Sequence, residues 1–128
     1  MIKVTAGIIQ NKDNKVLITR RKKGKHLEGY WEFAGGKIEG NETAEECLIR
    51  EIKEELNIDI LVNKHLANSI YGYETFKVEL QGYLATYIGG DIVLTDHDAY
   101  EWIELDNFSK YKFAPADLPL IKALQNGI

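Results

Sequence analysis

Glu51, Glu54 and Glu55 stand close enough in the chain to act on one object. On an α-helix, positions related by i+3 and i+4 share a side, so these three carboxylates would project together. At about 100° per residue they would span roughly a third of the helix circumference. Like charges that close repel one another and weaken the helix. A hard divalent cation such as Mg²⁺ removes the repulsion, because it takes carboxylate oxygens in octahedral geometry. Taken alone, the triplet fits a solvated acidic face better than a metal site, since Arg50 and Lys53 stand beside it and soften the charge.

The element that must carry these residues is legible on either side of them. From Glu42 to Leu56 the pattern is helical: Ala44, Leu48, Ile52 and Leu56 recur every four residues and paint one apolar stripe. Asn41 is the expected N-cap, with Glu42 and Glu45 well placed in the first turn. Before the helix, residues 29–40 form a loop holding Gly29, Gly35, Gly36 and Gly40, and before that residues 20–25 form a basic loop. Residues 2–10 and 16–19 read as a hairpin around the turn residues 11–14. Beyond the helix, residues 58–62 begin a strand, residues 69–76 and 77–88 read as two long antiparallel strands, and residues 100–103 as a short last one. Pro115 and Pro119 bracket the entry to a final helix over about 118–126, with Asp117 a candidate cap. The fold class expected is α+β, a mixed sheet sandwiched between helices.

Bulk properties narrow the function classes. The 128 residues suggest one domain, residues 1–128, able to bury about two-thirds of its unfolded surface. With 45% hydrophobic and 28% charged residues the balance is that of a globular protein. A formal net charge of -4 speaks against a general nucleic-acid binder, although a metal can reverse the local sign of an acidic site. Cys47 is the sole cysteine, so an internal disulfide is excluded and a reducing compartment fits. The first residues lack the pattern of a signal peptide, and no apolar run approaches the roughly twenty residues of a membrane span. A cytoplasmic location without membrane contact is the default expectation.

Reading on from Gly36, five residues lead to Glu42 and seven more to Arg50-Glu51, followed by Ile52, Lys53, Glu54-Glu55, Leu56, Asn57 and Ile58. This resembles the Nudix box, G-x5-E-x7-R-E-U-x-E-E-x-G-U with U a bulky aliphatic residue. Every fixed position matches except the last glycine, which is Asn57. That departure is mild: a glycine just past a helix end usually adopts the left-handed conformation, and Asn is the next best residue there. The lead-in from Trp31 to Glu39 resembles the MutT-type branch, which usually has Pro where this chain has Ala34.

The resemblance implies a Nudix-type α/β/α sandwich and hydrolysis of a nucleoside diphosphate linked to a further group, with Mg²⁺ or Mn²⁺. In the MutT-type branch the substrates are (deoxy)nucleoside triphosphates, oxidised or otherwise modified, as with 8-oxo-dGTP or a CTP or dCTP relative. The products are the monophosphate and pyrophosphate. ADP-ribose, a dinucleoside polyphosphate or a nucleotide sugar remains the alternative substrate, and a non-catalytic nucleotide-binding module the alternative class. The partner implied is a small nucleotide, not a nucleic acid polymer, bound by a monomer or homodimer.

Carried over by position, Glu51, Glu54 and Glu55 become the metal ligands with the carbonyl of Gly35, and Arg50 orients the glutamates. Glu42 takes a structural or supporting role. Glu51, Glu54 or the loop acid Asp96 could accept the proton of the attacking water. Arg21 stands where the branch places an arginine facing the nucleotide, Lys37 could touch phosphate, and Phe33 could stack on the base or belong to the core. Asp117 is placed either to meet the base edge or to cap the last helix. Cys47 reads as packing and His26 and His65 as isolated, while His97 could be a base contact but reads better as a loop histidine.

Overall fold

The computed structural model describes residues 1–127. Its sheet has a central parallel pair: β1 (Ile2–Gln10) runs alongside β5 (Lys77–Gly89), with Ile2 opposite Val78 and Gln10 opposite Thr86. β4 (Asp59–Gly72) returns antiparallel beyond β5 and forms one edge. On the other side of β1 lie β2 (Val16–Arg21) and the two-residue β3 (Trp31–Glu32), giving the order β3-β2-β1-β5-β4. β6 (His97–Ile103) pairs antiparallel with β2, from Val16 opposite Ile103 to Arg21 opposite His97.

Period-two alternation divides the core between the two faces of this mixed sheet. Leu17 and Ile9 turn to one face, where the apolar stripe of α1 (Ala44–Leu56) lays Leu48, Ile52 and Leu56 onto them. Val16, Ile18, Ala6 and Ile8 turn to the other, which is covered by Leu120 and Ile121 of α2 (Leu118–Gln125) together with Phe33, Phe108 and Phe113. Each fully buried Leu or Ile contributes on the order of 1.5–3 kcal/mol relative to exposure. Helices on both faces of a mixed sheet are the sandwich expected from the sequence.

Local chemistry sets the limits of α1 differently from the expectation. The N-cap is Thr43, not Asn41: its side chain accepts from the Glu46 N–H, and the Glu46 carboxylate accepts from the Thr43 N–H. This reciprocal capping box satisfies two otherwise unpaired donors, which a lone Asn41 could not do. At the other end Asn57 is left-handed, with φ 61°, as its place just past the helix requires. Its side-chain amide also donates to the Asp91 carbonyl, a bond a glycine could not make. Segment 91–95 then runs over the helix terminus, where the Val93 and Thr95 N–H groups cap the Leu56 and Glu55 carbonyls.

Other boundaries differ because pairing overrides local composition. Residues 58–76 hold one 14-residue strand, β4, followed by a turn at its tip, and the strand bends through three register irregularities opposite β5. β6 begins at His97, so His97 is a strand residue rather than a loop histidine. Short 3-10 turns at Leu105–Lys110 and Pro115–Asp117 lead into α2. Among the described residues no helix is long and apolar enough to cross a membrane.

Candidate functional site

The glycine-rich loop reaches the site by lying along β1. The N–H groups of Thr5 and Gly7 donate to the carbonyls of Gly36 and Ala34, at 2.8 and 2.9 Å. In an extended segment alternate carbonyls point opposite ways. The carbonyl of Gly35, between these two, makes no hydrogen bond among the described residues, and Gly35 lines the cavity below. Both glycines are demanded by close approach. A Cβ on Gly35 would fall 1.9 Å from the Thr5 carbonyl oxygen, and one on Gly36 would fall 2.2 Å from Glu51 Oε2.

α1 presents its box residues to this loop. Arg50 is the hub: Nε and Nη2 grip both oxygens of Glu42 at 3.0 and 2.7 Å, and Nη1 meets Glu51 Oε1 at 2.8 Å. Nη1 also reaches Glu54 Oε2 at 3.3 Å, while Nη2 donates to the Lys37 carbonyl. The paired guanidinium holds the Glu42 carboxyl down at about 2. Glu42 additionally accepts from the Glu39 N–H, so the first box glutamate ties loop, arginine and helix together. Cys47 is buried against Thr5 and the Gly36 and Lys37 carbonyls, a packing residue as expected.

A cavity of about 550 Å³ opens between the loop, α1 and the far face of the sheet. It collects Gly35, Lys37, Glu51, Glu55, Asp96, Arg21, Phe33 and Asp117, all singled out in the sequence. Glu54 is not with them: its side chain is 59% exposed and leans toward Arg50, and among the described residues no three acids or other ligating side chains converge into a preformed metal cluster. Glu51 and Glu55 do share the cavity. Burial, reinforced by the neighbouring Glu51 carboxylate, pushes the Glu55 carboxyl up to about 9. Glu51 and Glu55, with Gly35 and its unbonded carbonyl lining the same cavity, offer an all-oxygen donor set that suits a hard divalent cation.

The opposite end of the cavity is also polar. Asp117 occupies the position before α2 but does not cap it; its Oδ1 accepts from the Phe33 N–H, 3.1 Å away. Burial raises its carboxyl well above the usual aspartate range, and Glu32 pushes the same way. Phe33 belongs to the core, its ring packed against Phe108 and Phe113. Arg21 is bound to Glu32, whose second oxygen meets His97 Nε2 at 2.9 Å. The sequence does not single out Glu32, and His97 reads there as a base contact or a loop histidine, not as the partner of Glu32. A glutamate inside the apolar run Tyr30-Trp31-Phe33 was the available signal for the first, whereas only pairing of β6 with β2 brings in the second.

The family model of the NUDIX domain matches residues 5–123. The chain belongs to the Nudix family. This Nudix hydrolase is 34% identical over 123 residues to the CTP pyrophosphohydrolase of Escherichia coli (strain K12), covering 96% of this chain and 90% of the relative. It is 31% identical over 124 residues to the 8-oxo-dGTP diphosphatase of the same strain, covering 97% and 96%. The MutT protein of methicillin-resistant Staphylococcus aureus 252, a Nudix family member, superposes with a TM-score of 0.77 at 37% identity, over 98% of this chain and 97% of that one. The Nudix hydrolase is therefore of the MutT type. Members of the family generally need divalent metal cations.

Proposed function

We propose that this enzyme hydrolyses (deoxy)nucleoside triphosphates to the monophosphate and pyrophosphate with Mg²⁺, for which Mn²⁺ can substitute. The observation that carries the reading is a single cavity with an acidic oxygen-donor end at Glu51 and Glu55 and a polar, water-poor end at Asp117. The first end suits a cation-bound polyphosphate and the second a planar base edge.

When bound, the cation supplies positive charge to the polyphosphate and favours deprotonation of the attacking water. Glu51, Glu54, Glu55 and the Gly35 carbonyl would hold it in this reading, although Glu54 lies against Arg50 in the structure. Arg50 aims the glutamates through the bonds it makes to Glu51 and Glu54. Asp96, at the cavity wall, accepts the water's proton as the water adds across the anhydride and pyrophosphate leaves. Lys37 and Arg21 face the phosphates and nucleotide. Asp117, kept neutral by burial, donates its proton to a ring acceptor of the base while Oδ1 stays on Phe33.

The test is a nucleotide panel with Mg²⁺ that follows monophosphate and pyrophosphate together. It should include the ordinary triphosphates, 8-oxo-dGTP, 5-methyl-dCTP and ADP-ribose. One triphosphate leading by a wide margin with stoichiometric pyrophosphate is expected. Cleavage of ADP-ribose alone would reject the substrate class.

A further inference from the structure

The basic loop between β2 and β3 is a strap across the cavity mouth, anchored on both walls. On one side Lys22 Nζ donates to the Thr95 carbonyl at 3.1 Å, and Lys25 Nζ lies 3.4 Å from Asp96 Oδ1. On the other, the His26 ring sits edge-on to Tyr73, centroids 4.8 Å apart, at the tip of the β4–β5 hairpin. Arg21 Nε donates to the His26 carbonyl, which joins the strap to the polar end of the cavity. His26, isolated in sequence, is thus one of the strap's fastenings.

We propose that Lys25 is a phosphate-binding residue that Asp96 holds in place until the polyphosphate of a nucleoside triphosphate draws it away, which frees the Asp96 carboxylate for the reacting water. The inference rests on the triphosphate reading above. Lys25 and Asp96 line the same cavity as Glu51, Glu55, Gly35 and Lys37, so the ammonium needs only to swing along its own stem to exchange partners. Both side chains are about half exposed, at 40% and 49%, and an ion pair that wet contributes little. A polyphosphate offers several charged oxygens in a less hydrated site, where charge-assisted bonds are stronger. Lysine suits the exchange, being a compact point charge on a flexible chain. While the pair persists, an ammonium lies 3.4 Å from Asp96 Oδ1, so the loop acid is paired until substrate releases it.

The experiment is a double-mutant cycle read by calorimetry with Mg²⁺, using a non-hydrolysable α,β-imido nucleoside triphosphate and the matching monophosphate. Lys25→Gln should weaken the triphosphate analogue by about tenfold and leave the monophosphate nearly unchanged. Lys25→Arg should restore most of the loss. Asp96→Asn should tighten the analogue roughly threefold in the wild-type background and not at all beside Lys25→Gln. Equal tightening in both backgrounds would reduce Asp96 to simple repulsion and overturn the exchange. An equal loss for monophosphate and triphosphate would reduce the strap to a structural loop. Failure of the wild-type enzyme to bind either nucleotide would instead remove the triphosphate reading itself.

Discussion

Glu54 is the residue on which the site's chemistry and the resting geometry part. Its neighbours Glu51 and Glu55 face the cavity, whereas its own carboxylate is solvent-exposed and bonded to Arg50. A side chain so placed can rotate inward at little cost, since a half-wet ion pair contributes at most about 1 kcal/mol. Glu54→Gln should therefore leave the circular dichroism and melting temperature unchanged and lower kcat by at least about a hundredfold. Near-normal turnover would strike Glu54 from the ligand set and leave the cation to Glu51, Glu55 and a backbone oxygen. Such a result would also assign the Arg50–Glu54 contact a purely surface role.

At the scale of elements, the site depends on how closely the glycine loop is pressed between β1 and α1. The two glycines are needed for different reasons. A methyl group at Gly35 would collide with the backbone of Thr5, which cannot yield without breaking the loop's bonds to β1. At Gly36 the nearest atoms it would meet belong to the Glu51 side chain, from Cγ to Oε2, and not to backbone. Gly35→Ala should thus cost several kcal/mol, on the order of a severe core mutation, and be seen as a large drop in melting temperature. Gly36→Ala should melt within a few degrees of wild type yet lose most of its metal-dependent activity, because Glu51 is displaced from the cavity. If both variants melted alike, the loop would be more pliable than its bonding to β1 indicates.

For the whole molecule, the buried acids make stability depend on pH and on metal. Glu55 ionises at about 9 in the folded chain against an ordinary 4.5, so its folded form holds a proton that the unfolded chain loses. Its contribution is fully present below about 4.5 and disappears as pH rises toward 9. Buried Asp117 acts in the same direction. Glu42, held at about 2, acts in the opposite sense, contributing above 4.5 and losing it only as pH falls toward 2. Melting in EDTA should therefore show a fall in Tm between pH 5 and 9, which Glu55→Gln lessens without removing the share due to Asp117, while abolishing turnover. Mg²⁺ should reduce the slope by the share due to Glu55 and release a proton on binding near neutral pH. No difference in slope between the wild type and Glu55→Gln would mean that the Glu55 carboxylate is hydrated in the folded protein.

Much of this was legible in one stretch of chain. The spacing from Gly36 to Ile58 places Glu51, Glu54, Glu55 and Arg50 on a helix with an apolar stripe, because helical period and ligand chemistry are both local properties. Asn57 announced the helix end for the same reason. What only the tertiary structure decided is who meets whom across distant segments. Pairing of β6 with β2 delivers His97 to Glu32, and the hairpin beyond β4 delivers Tyr73 to His26. Burial in the assembled core raises the Asp117 carboxyl well above the usual aspartate range, and its oxygen meets Phe33 instead of the helix it precedes. Desolvation and partner choice depend on all the elements that close around a group, and no window of sequence contains them.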